Sequence, residues 1–123
     1  MNILICGSRT YYDSSKARIE LRRFLKDHAN DSFIHGGAVG IDSLADEVLR
    51  SFLSDYSKNV KVFRPQYSLY GKLAPIQRDR DMVDLADMVF ALWNGESNGT
   101  EFVINYSRSS GKPVEIIDVK PLF

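Results

Sequence analysis

A three-layer α/β/α sandwich, doubly wound around about five mostly parallel strands, is what this 123-residue sequence predicts. Three observations carry the prediction. Asn2-Ile3-Leu4-Ile5-Cys6 and Met88-Val89-Phe90-Ala91-Leu92-Trp93 are almost uninterrupted apolar runs, as strands buried on both faces of a parallel sheet must be. Between such runs lie segments whose apolar residues recur at helical spacing, so strand and helix signals alternate along the chain. Three of the runs also end in short polar turns containing glycine, the usual junction between a strand and the helix that crosses back over the sheet.

Taken in order, the first strand ends in Gly7-Ser8-Arg9-Thr10. Ser14 and Ser15 are placed to cap a helix reaching about His28, with Ala17, Leu21, Phe24 and Leu25 on its inner face. Phe33-Ile34-His35 is the second strand. It passes through Gly36, Gly37 and Gly40 into a helix marked by Ile41, Leu44, Ala45, Val48, Leu49, Phe52 and Leu53. A third strand, Val60-Lys61-Val62-Phe63, is stopped by Pro65. Gln66 to Pro75 is the least regular stretch; it reads either as a loop over a site or as a surface crossing packed by its own aromatics. Pro75 suits a first helical turn, and the helix that follows runs to Ala86 carrying Arg78, Arg80 and Asp81. The fourth strand opens into Asn94-Gly95-Glu96-Ser97-Asn98-Gly99-Thr100. A helix from about Gly99 to Ser109, then Gly111-Lys112-Pro113 and a last strand Val114 to Ile117, complete residues 1–123 as a single domain without repeat or linker.

Sixteen basic residues balance sixteen acidic ones, so the chain as a whole offers no electrostatic pull on a nucleic-acid backbone. The lone Cys6 has no internal disulfide partner, which suits a reducing compartment. No apolar run approaches 18 residues, and the amino terminus reads as a strand rather than a signal peptide; the expected location is cytoplasmic, without membrane contact. Two histidines and one cysteine far apart in sequence point away from a metal site, and no cofactor is expected.

With strand order 3-2-1-4-5, the switch point falls between the first and fourth strands, and ligands of such sheets bind beyond the carboxyl ends there. Gly7, Ser8 and Arg9 then face Asn94, Ser97, Gly99 and Thr100 across a crevice flanked by Gly36, Gly37, Gly40 and Asp42. Unpartnered amides at a helix start favour phosphate, and glycine lets a ligand approach the backbone. The same glycines also serve a plain tight turn. Several side chains carry two readings each. Arg9 clamps a phosphate or is solvated; Asp42 holds a ribose hydroxyl or stabilises its helix start by charge. Ser8 and Thr100 meet phosphate oxygens or act as caps, and Trp93 and Tyr67 stack on a base or fill the rim. His35 fits a satisfied core histidine, and His28 an exposed one. Arg80 is expected to pair with Asp81 or Asp84 on the surface, leaving Arg78 toward the crevice.

These motifs carry a family likeness. Leu4-Ile5-Cys6-Gly7-Ser8-Arg9, Gly36-Gly37-Ala38-Val39-Gly40-Ile41-Asp42, Arg78 to Met82, Gly99-Thr100 and Gly111-Lys112-Pro113-Val114 resemble the SLOG superfamily, and most closely its small stand-alone YspA-like members. The resemblance covers nearly the whole chain in order. It implies a Rossmann-like fold that binds nucleotides or nucleotide-derived ligands such as ADP-ribose or NAD-related molecules, and a homodimer. Arg78, four residues before Met82, is similar to the catalytic arginine of the Lonely Guy phosphoribohydrolases, which release a base from a nucleoside monophosphate. Their glutamate stands three residues after the threonine of the glycine-threonine pair, where this chain has Val103; Glu101 lies about 200° around the helix from that position. Gly99-Thr100-Glu101 followed by Gly111-Lys112-Pro113 is also similar to nucleoside deoxyribosyltransferases. The glycine turn resembles that of the DNA-processing protein A family, which binds single-stranded DNA through a basic groove. Here such a groove would have to come from Arg9, Lys72, Arg78 and Arg80, and nucleic acid is not the expected partner.

The expectation is therefore a binding or sensing module for a nucleotide-derived small molecule, with phosphate on the Gly36-Gly37 and Gly99-Thr100 turns. The alternative is an N-glycosidase of the phosphoribohydrolase or deoxyribosyltransferase type, with Arg78 holding phosphate and Glu101 stabilising a cationic sugar; a second alternative is single-stranded nucleic-acid binding.

Overall fold

Alternating side chains of a central strand feed two separate cores, one on each side of a single sheet. The computed structural model describes residues 1–122, so Phe123, the last residue of the expected domain, lies outside the described residues. Strands β1 (Asn2–Gly7), β2 (Ser32–His35), β3 (Val60–Val62), β4 (Met88–Trp93) and β5 (Val114–Asp118) form the sheet in the order β3-β2-β1-β4-β5. Every neighbouring pair is parallel, with Leu4 opposite both Ile34 and Val89. The architecture is the Rossmann-like three-layer sandwich the sequence predicts, with the switch point between β1 and β4.

The helices are α1 (Ser14–Lys26), α2 (Ile41–Phe52), α3 (Tyr56–Asn59), α4 (Tyr67–Tyr70), α5 (Ala74–Leu85) and α6 (Asn98–Ser109). Ile3 and Ile5 of β1 pack with Phe33, Phe90 and Leu92 against α1 and α2, where Ala17, Leu21, Leu25, Ile41, Ala45 and Leu49 are fully buried. Leu4 and Cys6 point the other way, joining Ile34, Val89 and Ala91 against Met82 and Val83 of α5 and Val103 and Ile104 of α6. This is the period-2 alternation of a strand buried on both faces. Truncating any of the buried leucines to alanine removes burial and leaves a cavity, at a cost of about 2–5 kcal/mol.

Several local expectations are corrected. Burial on both faces holds for β1, β2 and β4. The edge strands are only half covered, and Lys61 on β3 and Glu115 and Asp118 on β5 are exposed, because an edge strand needs cover only where a helix reaches it. The cap of α1 is Asp13, whose carboxylate accepts from the Lys16 amide at 3.1 Å, rather than Ser14 or Ser15; those serines fall inside the first turn. The stretch from Gln66 to Pro75 is not a loop: α4 and a 3-10 turn over Gly71–Leu73 lead directly into α5, with Pro75 in its first turn. Phe52 ends α2 at 37% exposure, beyond the reach of the sheet. His28 is half-buried, stacked on Phe24 and hydrogen-bonded to Asp31. Arg80 pairs with neither Asp81 nor Asp84. Its guanidinium sits 5.9 Å and 6.0 Å from the rings of Phe102 and Tyr106, while Asp84 accepts from the Tyr106 hydroxyl and Asp81 from Gln77. Among the described residues no helix is long and apolar enough to cross a membrane.

Candidate functional site

A cleft of about 450 Å³ opens at the carboxyl ends of β1 and β4, where the switch point puts it. The turns after β1 and β4 form its mouth, and α5 and α6 form its far wall. Its apolar floor is Cys6, Met82 and Val103. Of the residues expected at a site, Gly7, Arg9, Asp42, Arg78, Ser97, Gly99 and Thr100 line this cleft. Thr10, Ala38, Asp79 and Asn98 join them.

Ser8, Gly36, Gly37, Gly40, Asn94 and Glu101 do not line it, and each has another role. Ser8 is fully buried: its hydroxyl accepts from the Asn94 amide at 2.9 Å and its carbonyl accepts from the Ile41 amide at 3.0 Å. The Asn94 side chain donates to the carbonyls of Thr10 and Tyr11 and accepts from the amides of Glu96 and Ser97, so it ties the two mouth turns together. Gly40 packs directly on the first turn. A Cβ there would lie 2.5 Å from Arg9 Cα and from the Ser8 carbonyl oxygen, on a residue already at φ +84°. Glu101 is exposed on α6 outside the cleft lining, which removes the basis for its proposed role on a sugar; Val103, buried at 3%, faces the cleft instead.

The glycine turn is not an open amide cradle. Asp42, 8% exposed, folds back from the first turn of α2, and its Oδ2 accepts from the amides of Gly36 at 3.1 Å and Ala38 at 3.2 Å. The Gly37 amide donates to His35 Nδ1 at 3.0 Å, which leaves Nε2 of that ring to donate to Asp46 at 2.8 Å. The expected phosphate place on Gly36-Gly37 is thus filled by the chain's own acceptors, because a carboxylate at the helix start reaches those amides first. These hydrogen bonds go to the glycine turn and not to the first amides of α2, a structural role that neither reading of Asp42 named. Burial pushes the Asp42 carboxyl up, against the opposing pull of the Ala38 and Gly36 amides, His35 and Arg78.

The start of α6 differs. Ser97 stands at the cap position but its side chain accepts no backbone amide. Its hydroxyl donates to Thr100 Oγ1 at 3.3 Å and shares a 3.2 Å hydrogen bond with Ser8 Oγ. Since Ser8 Oγ already accepts from Asn94, the chain of hydroxyls runs Ser8 to Ser97 to Thr100. Its last hydrogen, on Thr100, has no acceptor among the described residues. The amides of Asn98, Gly99 and Thr100 likewise have no hydrogen-bond acceptor among the described residues, and all three residues line the cleft. Arg9, exposed at the mouth, forms no ion pair among the described residues.

On the α5 wall, Arg78 is 7% exposed. Its Nη1 donates to the Gly36 carbonyl at 2.8 Å and the Phe63 carbonyl at 3.4 Å, and its Nε donates to Asp79 Oδ1 at 2.8 Å. Arg78 therefore faces the crevice, as the resemblance implied, and also holds the ends of β2 and β3. Asp79 was not singled out in the sequence. Burial pushes its carboxyl up and the Asp42 charge adds to that, while Arg78 and Arg9 pull it down. The signal was there to be read: Asp79, Met82, Val83 and Ala86 recur at i, i+3, i+4 and i+7, which places Asp79 on the inner face of the helix.

Two further expectations are settled at the rim. Trp93 is half-buried and its Nε1 donates to the Ser97 carbonyl at 3.1 Å, so it braces the mouth turn rather than lining the cleft; Tyr67 is exposed. The suggested basic patch of Arg9, Lys72, Arg78 and Arg80 is not assembled, since Arg78 is buried and Arg80 is turned to the rings of α6. No protein-family model matches the chain, and no curated protein sequence matches it either.

Proposed function

We propose that the cleft binds a nucleotide or nucleotide-derived ligand, of the ADP-ribose, NAD or nucleoside monophosphate kind, and that the protein works as a sensor or binding module of the SLOG type. The observation that carries the reading is the start of α6: three amides and the Thr100 hydroxyl are left as donors at the positive end of a helix, opposite Arg9. Such a constellation stabilises a phosphate through backbone hydrogen bonds and the helix dipole together. The phosphate is assigned to α6 alone. The apolar floor of Cys6, Met82 and Val103 suits the uncharged part of the ligand.

Calorimetry with NAD, ADP-ribose and nucleoside monophosphates tests this directly. Saturable heat with at least one of them is expected, and Thr100→Val should weaken it; no heat with any would overturn the reading. N-glycosidic cleavage is the second reading, favoured by the placement of Arg78 and a carboxylate, Asp79, on one cleft wall. Base release from nucleoside monophosphates separates the two. A homodimer is proposed as well, on the exposed Tyr67, Leu69, Tyr70, Leu73 and Ile76 around α4 and the start of α5. Light scattering reads it out, and a monomer mass at micromolar concentration removes it.

A further inference from the structure

Two neighbouring side chains on the α5 wall have hydrogen-bonding capacity left over, and of opposite kind. Arg78 is more than nine-tenths buried, yet its Nη2 makes no hydrogen bond among the described residues. Asp79 accepts from Arg78 Nε through Oδ1 only, and its Oδ2 has no donor among the described residues. Both residues line the cleft. A donor and an acceptor side by side match a group that is itself both, and a hydroxyl is the simplest such group. An ammonium would meet the guanidinium charge, and a second phosphate would meet the Asp79 and Asp42 carboxylates.

We infer that Asp79 is the specificity residue of the cleft, reading the vicinal diol of a ribose whose phosphate sits at the start of α6. One hydroxyl donates to Asp79 Oδ2 while accepting from Arg78 Nη2. The α5 wall and the α6 start line one and the same cleft, whose volume of about 450 Å³ has room for a sugar phosphate. The inference rests on the nucleotide reading above and deepens it by naming the sugar.

The test is calorimetry of the native protein with ribose 5-phosphate against 2-deoxyribose 5-phosphate, and AMP against dAMP. The expected result is that the ribo form binds about ten- to a hundredfold more tightly in both pairs, the worth of a hydrogen bond to a charged acceptor. Asp79→Asn should bring each pair to within a few-fold by weakening the ribo forms more than the deoxy forms, with the thermal midpoint checked for an intact fold. Equal binding of ribo and deoxy forms by the native protein overturns the inference while leaving the nucleotide reading in place. A ribo preference that Asp79→Asn leaves undiminished also overturns it, because another group would then be reading the 2-hydroxyl. No binding of any of the four overturns both.

Discussion

Arg78 Nη1 donates to the carbonyl oxygen of Gly36 at 2.8 Å, across 42 residues of sequence. The bond closes the glycine turn from the α5 side, and Asp42 closes it from the α2 side. A Cβ on Gly36 would lie 2.8 Å from Arg78 Nη1 and 3.0 Å from Asp42 Oδ2, so the turn is held between two charged groups.

Replacing Arg78 by methionine therefore removes more than the proposed ligand contact. The carbonyls of Gly36 and Phe63 and the half-buried Asp79 lose their donor together. Urea unfolding should show a loss of about 2–4 kcal/mol, and ligand affinity should fall with it. A variant of unchanged stability would show that the guanidinium does not hold the turn.

Two glycines should behave oppositely. A Cβ on Gly7 would stand 2.2 Å from the Leu92 carbonyl oxygen and 2.7 Å from the Ile41 side chain, so neither backbone nor core has room to give. Gly7→Ala should cost roughly 3 kcal/mol or more, or prevent folding, as read by circular dichroism on heating. At Gly99 nothing lies within 4 Å of such an atom, and the residue sits in the first turn of α6. Gly99→Ala should leave stability unchanged or raise it by about 0.5–1 kcal/mol, yet weaken ligand binding by crowding the phosphate. Unaltered binding would move the phosphate elsewhere.

Acid should weaken the fold through Asp46. Burial alone would raise its carboxyl, but hydrogen bonds from Tyr56, Arg50 and His35 bring it down to about 2. A depressed carboxylate stabilises the fold above its unfolded value, and that contribution is lost as pH falls toward 2. The shift corresponds to about 2 kcal/mol. Asp46→Asn should lower neutral-pH stability by a similar amount and flatten the stability curve between about pH 4 and 2, measured by urea titration at stepped pH. An unchanged curve would remove Asp46 from the balance.

Cys6 lies 6% exposed on the cleft floor. Burial, and then the charges of Asp42 and Asp79, push its thiol well above its ordinary range. At neutral pH iodoacetamide should label it at least about tenfold more slowly than in the urea-unfolded chain. Rapid labelling of the folded protein would contradict this burial.

The sheet was legible because a strand buried on both faces leaves an unbroken apolar run, and Met88 to Trp93 is matched residue for residue by β4. The edges were harder to read. Val114 to Ile117 carries Glu115 turned outward, since β5 has a neighbour on one side only. In the candidate site, sequence placed Arg9, Arg78, Gly99 and Thr100 correctly at one rim. It could not show that Asp42 would turn back onto Gly36 and Ala38, because that depends on a rotamer and not on spacing. Nor could it show Ser97 giving its hydroxyl to Thr100 instead of capping α6. Asp79 was overlooked for a different reason: charge alternation from Arg78 to Asp81 hid the helical repeat beneath it.

The hydroxyl of Ser8, sealed beneath the mouth and bonded to both Asn94 and Ser97, has a kinetic corollary. Two loops locked to each other through a solvent-free atom have no independent hinge, so the cleft is finished before the proposed ligand arrives. Association should then follow a single exponential whose rate rises linearly with ligand concentration, limited by encounter and not by rearrangement.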